Sequence, residues 1–368
     1  MSQYQTIVVK VGTSTLTRES GELDLNYMRS LAQQLSILRR QGRDVVLVTS
    51  GAIRAGMKRL GLSKLKTMRE QQAAAAVGQG LLMRTYAEFF RDEGFTTGQV
   101  LLTRNDFTNR EGFLNARNTL LTLFEHRVIP IVNENDSVAI EEIKFGDNDT
   151  LAAQVVALLD ADLLLLLTDV AGIYVPAKKG QGARLMREVR EITPELEQSA
   201  GGSVSGIGQG GMATKVAAAR VATNCGATVV VVYGREPNVV LRVVEGEPLG
   251  TTFLPRPRRL RTRERWLAFS SPPAGDLVVD DGAREMLLKR GKSLLPVGVL
   301  EVRGEFSSGD VVRVLDQRGR ELARGLTNYS AEEAQRICGR HSDEIEAILG
   351  YPGDPEVIHR NNLTLVEV

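Results

Sequence analysis

The sequence predicts two folds in series: an α/β domain with a mainly parallel open sheet sandwiched by helices (residues 1–255), then a small, mostly β C-terminal domain (274–368). Three observations predict this. Short apolar runs without polar alternation recur between helix-period segments, as in a parallel sheet covered on both faces. An aperiodic Pro- and Arg-rich stretch, 256–273, then interrupts the pattern and reads as a linker. Beyond it, short strands and turns follow one another closely. The length, 368 residues, suits about two domains.

Thr6–Val11 is the first buried strand. Leu25, Met28, Leu31, Ala32, Leu35 and Leu38 share one helical face, which Asp24 can cap and Gly42 can end. Strands follow at Val45–Val48, Val100–Leu102, Val128–Val132, Leu163–Leu167 and Thr228–Val232, and helices at Glu70–Gly94, Asn115–Glu125, Asp149–Leu159 and Ala213–Asn224. The second domain offers strands at Asp276–Asp280, Val297–Arg303, Asp310–Leu315, Glu321–Leu326 and Leu363–Val366. Its helices are expected at Ala283–Arg290 and Ala331–Cys338, with a helix-like stretch at Ser342–Leu349.

Composition narrows the function. With 46 Lys and Arg against 45 Asp and Glu, the chain does not work by being globally polybasic or polyacidic. The C-terminal domain is net −5, the linker +5 and the remainder +1. Two cysteines, Cys225 and Cys338, make neither a disulfide framework nor a multi-cysteine zinc site. They suit a reducing compartment. His126, His341 and His359 lie too far apart in sequence for a helical metal pair. Leu151–Val170 is interrupted by Asp160, Asp162 and Asp169, so it reads as a helix and a buried strand rather than a membrane span. The first residues carry no charged-then-apolar signal, and the cytoplasm is the expected location.

In a parallel sheet, ligands sit beyond the carboxyl ends of the strands, and the chemically capable residues cluster there. Lys10 ends a strand and is followed by Gly12, Thr13 and Ser14; a lysine there is costly to bury unless it meets an anion. Ser50 and Gly51 form a turn feeding a helix, which frees N–H groups for an anion or simply turns the chain. Asn133-Glu134-Asn135-Asp136-Ser137 and Gly146-Asp147-Asn148-Asp149-Thr150 are two amide and carboxylate clusters, suited to a substrate ammonium or a magnesium-bound phosphate. They suit turns and helix caps equally, and Asp149 is a natural N-cap. Thr168 and Asp169 end another strand. Gly208-Gln209-Gly210-Gly211-Met212-Ala213-Thr214-Lys215 is a glycine loop with a lysine at its end. It lacks Walker A spacing, and its Gly206-x-Gly208-x-x-Gly211 match to a dinucleotide fingerprint has no preceding strand. Two lysines with carboxylates and glycine turns between them fit phosphoryl transfer, which needs charge neutralisation and positioning more than a nucleophile.

These motifs, in this order, resemble the amino acid kinase superfamily and, within it, the glutamate 5-kinases. The carriers are Val9–Ser14, Val48–Ile53, Asn133–Ser137, Phe145–Asp149, Leu167–Asp169 and Gly210–Lys215. Gln209 and Ala213 stand where Thr and Ser are common in that family. The C-terminal part resembles the PUA domain that many of these kinases carry. The resemblance implies transfer of the ATP γ-phosphate, with Mg2+, to the side-chain carboxylate of L-glutamate, the first step of proline synthesis. It implies Lys10 and Lys215 as stabilisers of the moving phosphoryl group, with Asp149 holding them. It also implies Ser50, Asp136 and Asn148 on glutamate. ATP would meet Lys10, Thr168, Asp169 and Gln209, Gly210, Gly211, Met212, Ala213, Thr214 and Lys215, with Gly12 and Gly51 amides on phosphates. Proline feedback, a homo-oligomer (dimer or tetramer) and contact with a glutamate 5-phosphate reductase are further expectations. Two alternatives remain: a kinase of another small acid or nucleotide, and an RNA-binding protein. The acidic C-terminal domain argues against the second.

Overall fold

The structure, a computed structural model, describes residues 4–18, 20–108, 110–138, 148–176, 183–201, 211–256 and 273–365. It divides into two compact units, Met1–Leu260 and Arg261–Val368. The expected linker falls almost wholly on residues 257–272, outside the described residues.

The first unit is built on one sheet. Its strands are β1 (Thr6–Val11), β2 (Asp44–Thr49), β3 (Thr97–Leu102), β4 (Ile129–Glu134), β5 (Leu163–Thr168), β8 (Glu188–Val189), β9 (Thr228–Tyr233) and β10 (Thr251–Phe253), with β6 (Tyr174–Pro176) and β7 (Ala183–Leu185) pairing as a separate hairpin. The order is β3-β4-β2-β1-β5-β9-β10-β8. The six strands from β3 to β9 run parallel, whereas β10 is antiparallel to β9. The expected strands are therefore found: β1 has the expected bounds, and each of the others is one to three residues longer than its apolar run. The β8 and β10 edge carries too few residues to show a period.

The helices are α1 (Thr13–Leu16), α2 (Leu25–Arg40), α3 (Ala52–Arg59), α4 (Met68–Asp92), α5 (Arg104–Thr108), α6 (Arg110–Glu125), α7 (Asn148–Leu159), α8 (Pro194–Gly201), α9 (Met212–Asn224) and α10 (Val239–Val244). The Asp24 side chain caps α2 by accepting from the Tyr27 N–H. A Thr67–Glu70 capping box starts α4. Ile7, Val9 and Val11 of β1 pack with α2, α4 and α10 residues in one core cluster. Strand side chains alternate, so Val8 and Lys10 turn to the opposite face, where α7 lies. The α7 segment is buried almost all round, as its apolar sequence demands. α3 and α4 cross at backbone contact: a Cβ on Gly78 would lie 1.7 Å from the Ala52 carbonyl oxygen, and one on Gly56 would lie 1.8 Å from that of Ala74. Glycine is required at both positions by the approach itself. Among the described residues, no helix is long and apolar enough to cross a membrane.

The second unit holds a five-stranded sheet of β11 (Gly275–Val279), β12 (Val299–Gly304), β13 (Val311–Leu315), β14 (Glu321–Leu326) and β15 (Leu363–Leu365), ordered β12-β11-β13-β14-β15. Helices Asp281–Arg290, Ala331–Ile337 and Ile345–Leu349 complete it. Leu277, Val314, Tyr329, Ile337 and Ile358 share its core. The strand expected from Val297 begins at Val299, because Pro296–Gly298 forms a single 3₁₀ turn. Val366, expected to end the last strand, lies outside the described residues.

Candidate active site

The carboxyl ends of β1, β2, β4 and β5 open into a cleft of about 1060 Å³. Lys10, Gly12, Ser50, Gly51, Asp136, Asn148, Thr168, Asp169 and Lys215 all line it. Nine of the residues expected from the sequence, from Lys10 to Lys215, thus meet in one place. Asp149 sits directly behind the wall, fully buried.

Its two carboxylate oxygens are divided between the two lysines. Lys10 Nζ lies 2.5 Å from Asp149 Oδ1 and Lys215 Nζ lies 3.2 Å from Oδ2. Thr214 Oγ1 also lies 3.3 Å from Oδ2. Lys10 is 5% exposed and Lys215 7%. Burying charge is expensive unless it is paired. Here two ammonium groups share one carboxylate beside the cleft, an arrangement of buried charge that can also meet an anion entering from the cleft.

The backbone adds donors beside it. Gly51 adopts φ 97° at the start of α3, and a Cβ there would lie 3.0 Å from Leu16 Cδ2. Both the left-handed turn and the close approach favour glycine. Gly12 precedes α1 in extended conformation, where a Cβ would meet Lys10 Nζ at 3.7 Å; its N–H is directed to the Leu167 carbonyl at 3.4 Å, so a phosphate oxygen would have to compete with that carbonyl.

The neighbouring wall is made of amides. Asn148 Nδ2 lies 2.9 Å from the Thr49 carbonyl, from Ser50 Oγ and from Asn133 Oδ1. Asn133 in turn donates to Gln79 Oε1 at 2.9 Å. The Thr49 and Tyr86 hydroxyls are 3.2 Å apart, and burial pushes the Tyr86 hydroxyl far above its ordinary pKa, so it stays neutral. Asn148 and Asp149 are consecutive, yet one joins the amide wall and the other the charged cluster.

Thr168 is buried and donates to Asp169 Oδ1 at 3.1 Å, with Asp169 exposed on the rim. Gly211, Met212, Ala213 and Thr214 form the entry and first turn of α9, and Thr214 Oγ1 also donates to the Gly211 carbonyl. Of this segment, only Lys215 lines the cleft among the described residues. Gln209 and Gly210, and Phe145, Gly146 and Asp147 of the second cluster, lie outside the described residues.

Sequence reasoning missed the wall given by α3 and the turn after it, including Arg54, Lys58 and Ser63, and missed Gln71; Glu134, part of the first expected cluster, does line the cleft. Arg54 and Lys58 are four residues apart just after the Ser50–Gly51 turn, which puts both on one helix face. That spacing was the available signal. Gln79 gave none.

Comparisons with known proteins fit this geometry. The amino acid kinase family matches residues 5–233, and the PUA domain matches residues 275–349. A glutamate 5-kinase of Moorella thermoacetica is 50% identical over 368 residues, covering 100% of this chain and 97% of that one. One from Caldanaerobacter subterraneus is 48% identical, covering 98% of each. One from Methylibium petroleiphilum is 50% identical, covering 98% of this chain and 97% of its own. Among solved structures, carbamate kinase from Giardia lamblia bound to AMP-PNP shares the fold at TM-score 0.50 and 17% identity, over 70% of this chain and all of that one.

Proposed function

The chain belongs to the amino acid kinase family and, within it, to the glutamate 5-kinases, and from that premise we infer how its cleft carries out the reaction. The protein transfers the γ-phosphoryl group of ATP to the side-chain carboxylate of L-glutamate, giving L-glutamate 5-phosphate and ADP, the opening step of proline synthesis. A carboxylate oxygen attacks the γ-phosphorus while the bond to the β–γ bridging oxygen breaks. The carboxylate is already ionised at neutral pH, so no general base is needed. The chemical problem is repulsion among anions.

In our reading Lys10 and Lys215 offset that repulsion and stabilise the charge spread over the moving phosphoryl group. Asp149 fixes both ammonium groups. The Gly12 and Gly51 amides meet phosphate oxygens. Ser50, Asp136 and Asn148 hold glutamate; Thr168, Asp169 and Gln209–Lys215 hold ATP. The observation that carries this reading is the fully buried Asp149 bridging two lysines that line the cleft.

Among the described residues, no cluster of three or more His, Cys, Asp or Glu forms a metal cage. Mg2+ would arrive on the phosphates and keep most of its water, with Glu134, Asp136 and Asp169 the carboxylates on the cleft lining. The ion would supply further charge neutralisation. We also propose a catalytic domain at 1–255 and a PUA domain at 274–368 joined by the 256–273 linker, and a cytoplasmic homo-oligomer. Feedback by proline and hand-over of the labile product to a reductase complete the proposal.

The test is ATP consumption by the purified chain with Mg2+ and L-glutamate, hydroxylamine trapping the acyl phosphate as a hydroxamate. L-Aspartate, N-acetylglutamate and UMP run in parallel. Hydroxamate from glutamate alone is expected; turnover with another acceptor instead would overturn the substrate and leave the lysine roles standing.

A further inference from the structure

Gln79, Asn133 and Asn148 form a chain of side-chain amides running from α4 to the cleft. Backbone atoms fix which way the two asparagine amides point, and the Asn133 nitrogen in turn selects the Gln79 oxygen. The Glu134 N–H can only donate, so the Asn133 oxygen 2.9 Å from it accepts, and the Asn133 nitrogen faces Gln79 Oε1 at 2.9 Å. The Thr49 carbonyl can only accept, so Asn148 presents its nitrogen there, and to Asn133 Oδ1 as well, each at 2.9 Å. This polarity leaves Asn148 Oδ1 buried with no partner among the described residues, on a residue that lines the cleft. A buried acceptor costs free energy until a donor arrives. The substrate proposed above carries a matching donor group, its α-ammonium, whose three N–H bonds can serve this oxygen as well as the Asp136 carboxylate.

We propose that Gln79 is a positioning residue for substrate selection: through Asn133 it holds the Asn148 amide oxygen at the cleft wall as the acceptor for the α-ammonium of a free amino acid. The inference rests on the glutamate reading and deepens it. Gln79 makes no contact with the reacting atoms. It lies one residue after Gly78, whose contact with the Ala52 carbonyl would not admit a Cβ, so the α3–α4 crossing sets its distance from Asn133. An amine-free acid of the same length, glutarate, cannot use this acceptor and is blind to its orientation.

The experiment compares the full-length parent with Gln79→Met and Gln79→Glu. It measures KM for L-glutamate, KM for ATP and the competitive Ki of glutarate. Gln79→Met is expected to raise the glutamate KM by roughly tenfold, the effect of losing a hydrogen bond to a charged group. Glutarate Ki and ATP KM are expected to move less than about twofold on the same reasoning. Gln79→Glu keeps an acceptor oxygen toward Asn133 and restores most of the selectivity. Should the Met variant not fold, Gln79→Ala, which suits a helix, is read for the same split. Equal weakening of glutamate and glutarate, or no change in either, overturns the positioning role. A parent chain that makes no acyl phosphate from glutamate overturns the substrate reading itself, a separate result.

Discussion

At the start of α7 two consecutive residues belong to different kinds of chemistry. Asp149 lies in a buried cluster of ionised groups with Lys10 and Lys215, whereas Asn148 joins Ser50, Asn133 and Gln79 in uncharged hydrogen bonds. The charged patch delivers strength without much direction: an ammonium is a point charge that rotates to meet whichever oxygen approaches. The amide patch delivers direction without much strength, since each group is committed to donating or accepting at a fixed place. Phosphoryl transfer needs the first, because charge builds and moves during the reaction. Recognition needs the second, because discrimination comes from leaving the wrong ligand's neighbours unpaired.

Removing a charge from the first patch is therefore the most damaging change. Lys215→Ala is expected to lower kcat by about 10³-fold, the scale of losing a cation aimed at the transferring group. The fold should survive, because Asp149 keeps Lys10 at 2.5 Å and so is not left as a lone buried charge. Steady-state kinetics with a parallel melting curve checks both halves. A near-normal kcat would remove Lys215 from the reaction.

A carboxylate proposed to hold glutamate should answer differently. Asp136→Ala is expected to raise the KM for glutamate by about tenfold or more, the cost of a lost hydrogen bond to a charged partner, with the ATP KM held. An unchanged glutamate KM takes Asp136 out of the substrate site. If kcat fell as steeply as in the lysine variant, holding glutamate and moving the phosphoryl group would not be separable as drawn.

The two patches were not equally legible in the sequence. Lys10, Gly51, Asp149 and Lys215 sit at strand ends and helix starts, where apolar runs of Val, Ile and Leu meet polar punctuation, and a parallel sheet brings such points together. The same runs gave the strands of the central sheet. Their order, the antiparallel β10 and the short edge strand β8 were hidden, because three or two residues carry no period and pairing is a long-range choice. Gln79 was hidden for another reason. It stands inside the small-residue stretch Ala73–Gly80, and only the crossing of α3 and α4 at Gly56 and Gly78 brings it near Asn133, 54 residues away. A contact made by one helix leaning on another leaves no local signature. The α3 wall lay between these cases: Arg54 and Lys58 show their common face by spacing, but not that the face borders the cleft.

The smallest expected effect tests whether charge matters here only where it is buried. Behind the charged patch, α1 is propped by Arg235, which donates to the Thr15 carbonyl at 3.0 Å and to Asp24 Oδ2 at 3.0 Å. Burial pushes the Asp24 carboxyl up, but the Arg235 guanidinium and the Tyr27 N–H outweigh it and hold the pKa below the ordinary 3.8. The folded state thus binds the Asp24 proton less readily than the unfolded chain. The stabilisation is complete above the unfolded pKa and fades as pH falls through the lowered folded value. Asp24→Asn keeps an oxygen to cap α2 and removes only the charge. Arg235 is partly exposed, so water and salt screen the pair. The stability gap between parent and variant near neutral pH should be at most about 1 kcal/mol. It should shrink in high salt and close in acid, where Asp24 is protonated in both states. Melting temperatures across pH, at low and high salt, measure it. A gap that persists unchanged in acid would assign the effect to the helix cap, and a gap several times larger would mean that this exposed pair carries as much as the buried cluster.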